Sequence, residues 1–210
     1  MSAIPQQPGT LPGFGQYRMH WDPRWQAYTV KIGPGDYYVA AVRAGERPPL
    51  ITTVLGSCVS VCICDPKAGL GGMNHFMLPD EQPGNDPLSR SARYGAFAME
   101  QLINELLHFG ASRDRLEVKV TGGGDMTGGH WQIGEQNARF VHRYLLSEGF
   151  RVLSEDLGGA CSRRVVYDPA VGRMLVKKSE AQWRTELLEQ ERRYRDTIVS
   201  EPDGGDVELF

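Results

Sequence analysis

Residues 50–65, LITTVLGSCVSVCICD, constrain the fold more than any other stretch. The run is long, apolar and β-branched, broken only near Gly56 and closed by the turn signal DPKAG. Apolar side chains at both parities describe a strand buried on both faces, or nearly so. A strand of that kind belongs inside a layered structure.

The neighbouring segments supply other elements. VKIGPGDYYVA reads as a strand entered through a Gly-Pro turn, and LGGMNHFML as the strand after the cysteine run. Residues 89–109 carry helical spacing and stop at Gly110. RLEVKVTG alternates as a strand, and GGGDMTGGHWQIG is a Gly-rich loop. EQNARFVHRYLLSEG is a second amphipathic helix, FRVLSEDLGG a strand and loop, and RRVVYDPAVGRMLVKK a hairpin. Strands, helix, strand, helix, strands is the order of an α+β protein or a layered α/β sandwich, not of a regular βαβ array.

Three regions are expected. Residues 1–30, rich in Pro, Gly and Gln, read as an irregular arm with Trp21, Trp25 and Tyr28 as candidate anchors. Residues 31–178 form the domain. Residues 179–210 form a charged helix and an acidic tail. Trp183, Leu187, Tyr194 and Ile198 lie on one face of that helix, which is expected to pack on its own domain. No large apolar stripe is left over, so a monomer is expected.

The formal net charge of −3 gives no basic excess for nucleic acid or an anionic membrane. No stretch approaches 18 uninterrupted apolar residues, so no membrane insertion is expected. The N-terminus has no basic region followed by an apolar core, as a secretory signal would. Four cysteines in 210 residues make no disulfide framework. A cytoplasmic protein with reduced thiols is expected.

Cys58, Cys62 and Cys64 share strand parity, which invites a zinc reading. Structural zinc sites draw CxxC knuckles from turns, however, and a fourth ligand would have to come from Cys161 or a histidine. Cys62 and Cys64 are more simply small core side chains. From these residues alone a buried strand cysteine is the simpler reading of Cys58 too, but it follows Gly56 and Ser57, so it can present its sulfur at a strand end with backbone N–H groups nearby. A nucleophilic thiol needs a base or cation beside it. His20 lies in the arm, His108 at a helix end, His142 within a helix and His130 in a loop. His75, one short loop after the cysteine strand, is the most economical partner. Thr52 is a candidate for accepting its imidazole N–H. The Gly-rich loop lacks both GxxxxGK[ST] and GxGxxG, so no nucleotide or other cofactor is expected.

TTVLGSCVSVCICDPKAGLGGMNHFMLP closely resembles the signature of the CheD family, the chemoreceptor glutamine deamidases of bacterial chemotaxis. VTGGGDM with IGEQN, and EDLGGACSRRVVYDPAVGRMLVKK, resemble later segments of the same family, so the likeness spans about residues 32–178. The resemblance implies an α+β fold, an α/β/β layered sandwich like the catalytic domain of deamidating cytotoxic necrotizing factor toxins. It implies Cys58 as nucleophile, His75 as base and acid, and Thr52 as the group orienting His75. No metal or organic cofactor is implied. The implied substrates are glutamines on the cytoplasmic helices of methyl-accepting chemotaxis receptors. In some bacteria the family also binds CheC-type phosphatases, and some members hydrolyse receptor glutamyl methyl esters. The competing classes are a non-catalytic receptor-binding adaptor and a zinc-binding module.

Overall fold

The apolar run divides at Gly56 into two strands that belong to different sheets. In the computed structural model, residues 4–79, 90–126, 133–179 and 184–200 are described. β1 (Met19–Asp22), β2 (Ala27–Lys31), β4 (Leu50–Leu55), β9 (Ser162–Asp168) and β10 (Arg173–Ser179) form one sheet, in the order β1-β2-β4-β9-β10. β3 (Tyr37–Ala41), β5 (Val59–Asp65), β6 (Leu70–Asn74), β7 (Glu117–Gly122) and β8 (Val152–Leu157) form the other, in the order β3-β6-β5-β7-β8.

Most pairings are antiparallel; β2 with β4 and β7 with β8 are parallel. A parallel pair needs a crossover, and α2 (Ile133–Ser147) supplies the one between β7 and β8. α1 (Arg90–His108) and α2 cover the second sheet through Met99, Leu102, Ile103, Leu106, Phe140, Val141 and Leu145, all buried. The first sheet closes the opposite side with Val30, Ile51, Leu55, Val165 and Tyr167 in the same core cluster. The result is the expected α+β sandwich of one helical and two sheet layers. β5 lies in the middle, buried at all seven positions. Each Val or Ile buried there contributes roughly 1.5–3 kcal/mol.

The N-terminal region departs from the expected irregular arm. β1 and β2 pair as a hairpin and extend the first sheet through β4. MHWD and AYTVK are too short, and too mixed in polarity, to announce strands by pattern. Trp21 and Tyr28 meet edge to face on this hairpin, while Trp25 stays 38% exposed.

At the far end of β5, Asp65 ties three segments together. Its carboxylate accepts hydrogen bonds from the backbone N–H groups of Lys67, Ala68 and Ser112 and from the Arg115 guanidinium. Burial alone would raise its pKa, but Arg115 and the N–H donors outweigh it and bring it down to about 2. Asp65→Ala orphans these donors and should cost about 3 kcal/mol in urea unfolding. The folded pKa lies below the ordinary 3.8, so the contribution is present above that pH and fades as pH falls through about 2. An unchanged urea midpoint at neutral pH would contradict this role.

Candidate active site

Cys58 lies at the corner where the chain passes from one sheet to the other, one residue before β5. Its side chain is fully buried. Cys62 pairs with Met73, and Val59 bridges Phe76 in the same antiparallel register. That register places Cys58 and His75 one diagonal step apart on a common face. The expected juxtaposition of cysteine strand and histidine strand is therefore present. Cys62 is buried inside β5, and Cys64 nearly so, as the core reading expects.

His75 is also buried, and its Nδ1 lies 2.8 Å from Thr53 Oγ1. Thr53 Oγ1 donates its one proton to the Ile32 carbonyl at 2.9 Å. A carbonyl can only accept, so toward the imidazole the hydroxyl oxygen accepts from Nδ1–H. This fixes the tautomer and leaves Nε2 with a free lone pair. Among the described residues Nε2 has no hydrogen-bond partner. Burial pushes the imidazole pKa down to about 3, so the ring is neutral at physiological pH.

The threonine expected beside His75 was Thr52, and the structure puts Thr53 there instead. Adjacent residues of β4 face opposite ways, and the Thr52 hydroxyl donates to the Val30 carbonyl at 3.2 Å. The outer residues Leu50 and Val54 are as apolar as the inner Ile51 and Leu55, so pattern alone does not tell which threonine faces inward. His20, His108 and His142 are exposed, and His142 pairs with Glu155. His130 lies outside the described residues.

The corner itself is braced from three sides. Gly123 and Gly124 donate to the carbonyls of Cys58 and Gly56. Gly122 has φ +120°, and a Cβ there would lie 2.3 Å from the Cys58 carbonyl oxygen. The Gly-rich loop thus brings backbone against the cysteine turn, as its missing nucleotide fingerprints allow. Asn137 of α2 donates to the Ser57 carbonyl and accepts from the Leu78 N–H, both at 2.8 Å. With these carbonyls engaged, the N–H groups of Gly56, Ser57 and Cys58 point the other way, and all three converge on one carboxylate. Sequence reasoning missed Asn137, although a polar residue within the apolar face of α2 marks it.

That carboxylate belongs to Glu191 of α3 (Arg184–Ser200). It takes N–H bonds of 3.0, 3.1 and 3.2 Å from Gly56, Ser57 and Cys58, and one of 2.6 Å from the Ser57 hydroxyl. Leu187 and Ile198 are buried on the same helix face, so α3 packs on its own domain as expected; Trp183 is outside the described residues. Glu191 interrupts the apolar stripe of α3, and that interruption was its signal. Burial and then the Glu191 charge push the Cys58 thiol well above its ordinary pKa. A cavity of about 330 Å³ opens beside Glu191, lined by Ser57, Met77, Met126, Ile133 and Leu188.

A family model described as "CheD chemotactic sensory transduction" matches residues 77–178. A protein of Halorhodospira halophila is 44% identical over 208 residues, covering 97% of this chain and 94% of its own. One of Thiobacillus denitrificans is 46% identical over 213 residues, covering 100% and 99%. One of Bordetella petrii is 55% identical over 163 residues, covering 77% and 71%. Each is named "Probable chemoreceptor glutamine deamidase CheD". With 44% and 46% identity over nearly the whole length of this chain and of those relatives, the chain belongs to the CheD family.

Proposed function

We propose that this chain is a cysteine-dependent protein-glutamine deamidase acting on chemoreceptors, which releases ammonia and leaves glutamate. The observation that carries the reading is a neutral, buried imidazole with a bare Nε2, on a residue one diagonal step in register from a buried cysteine. The names of its relatives point to the same substrates.

The chemistry follows from the groups present. His75 Nε2 takes the proton of Cys58 as its sulfur attacks the δ-carbon of a substrate glutamine. The resulting oxyanion is stabilised by the N–H groups of the corner at Gly56–Cys58. His75 then protonates the departing ammonia, and a thioester remains. Water, deprotonated by His75, hydrolyses the thioester and restores the thiol. Thr53 keeps the imidazole in the tautomer that these steps need. The same route would hydrolyse a glutamyl methyl ester, with methanol leaving. The protein works as a cytoplasmic monomer on receptor helices, with a CheC-type phosphatase as a further partner.

Purified protein incubated with a receptor cytoplasmic fragment should convert specific glutamines to glutamate, each gaining about 1 Da, the change expected of an activated thiol acting on an amide. Binding of the fragment with no mass change would replace this reading with the adaptor.

A further inference from the structure

Cys58 is fully buried, and the element that seals its corner is α3. α3 does more than cover the corner. It places a glutamate carboxylate on the N–H groups that would stabilise the oxyanion. A glutamate side chain in that cradle is what deamidation of a glutamine leaves behind. A buried carboxylate is a costly anchor for a helix that already has Leu187 and Ile198 as apolar ones. Around Glu191, the contacts repeat at helical spacing. Four residues earlier, Leu187 packs on Gly56, where a Cβ would lie 3.0 Å from its Cδ2. Three residues later, the Tyr194 hydroxyl meets that of Tyr94 and lies over Gly35. Seven residues later, Ile198 is buried. Anchors spaced four, three and four residues apart, at i, i+4, i+7 and i+11, are how a groove reads one face of an amphipathic helix.

We propose that the groove under α3 is the docking site for the substrate helix, and that α3 occupies it as a tethered product mimic, with Glu191 in the place of the newly formed glutamate. The inference rests on the deamidase reading. A substrate helix displaces α3 and presents its glutamine where Glu191 sits. It carries an apolar residue four positions before that glutamine and apolar or aromatic residues three and seven after it. While α3 is docked the thiol is out of reach, so turnover requires α3 to leave.

The full-length Glu191→Gln variant tests this, because it turns the mimic into an internal substrate. Cys58 Sγ bonds to the δ-carbon of the introduced glutamine, the carbon–nitrogen bond breaks, and ammonia leaves with the thiol proton delivered by His75. Water then cleaves the thioester, so glutamine plus water becomes glutamate plus ammonia. The tryptic peptide 185–192 should gain about 1 Da at position 191, at a first-order rate unchanged by roughly hundredfold dilution, as an intramolecular reaction requires. The Cys58→Ala/Glu191→Gln chain should stay unconverted. In a second variant, Leu187→Asp, which leaves Glu191 and the reacting groups intact, Cys58 alkylation and receptor-fragment turnover should each rise about tenfold as the docked population falls. Two results would overturn the inference and leave the activity standing. One is persistence of the introduced amide at position 191 while the same preparation deamidates a receptor fragment. The other is Leu187→Asp changing neither rate. If wild type and both variants leave every receptor fragment unconverted, and the introduced amide also persists, the deamidase reading falls and this one with it.

Discussion

Cys58→Ala is expected to lower deamidation of a receptor fragment by more than about 10⁴-fold, the scale on which enzymes lose activity with their nucleophile. The variant deletes one buried sulfur at a corner held by backbone N–H and carbonyl groups and by the Ser57 hydroxyl. Its thermal midpoint should therefore stay close to wild type, within about 1 kcal/mol of stability. Loss of activity with the fold intact assigns the chemistry to the thiol. Ammonia release persisting in a folded Cys58→Ala protein would remove the nucleophile and the mechanism with it.

The second large effect separates two adjacent threonines. Thr53→Val keeps the shape of the side chain but removes both the acceptor for His75 Nδ1–H and the donor to Ile32. The imidazole then loses the bond that selects its tautomer, and kcat should fall about 100-fold, within the range for general acid–base catalysis. KM should change little, because Thr53 is buried and touches the base, not the docking groove. Thr52→Val removes a hydroxyl that bonds Val30 on the other face, and its kcat should stay within about twofold of wild type. A larger loss in the Thr52 variant, or a Thr53 defect confined to KM, would reverse the assignment.

Much of this was legible in residue order. The doubly apolar run required a buried central strand, and β5 is one. Gly56 and Ser57 announced a turn, and the turn became the crossing between sheets. His75 was reachable from Cys58 because a short loop joins their antiparallel strands. What could not be read is instructive. The choice between Thr52 and Thr53 depends on which face of β4 looks toward the second sheet, and apolar residues at both parities conceal that. β1 and β2 are stabilised by a neighbour distant in sequence, so their own pattern is faint. Glu191 is separated from Cys58 by 133 residues. Its role depends on where α3 docks, which helical spacing does not specify.

The hydrogen bond between Thr53 and His75 joins β4 of one sheet to the residue that follows β6 of the other. The orientation of the base is therefore a measure of how the two sheets are aligned. A sheet–sheet interface slides more readily than a strand ladder, because apolar packing is non-directional whereas ladder bonds fix their register. Residues such as Ile51, Leu55 and Val165, which never approach a substrate, thus set the mechanical tolerance of the catalytic step. A displacement of an ångström between layers would leave the protein folded and its base misaimed.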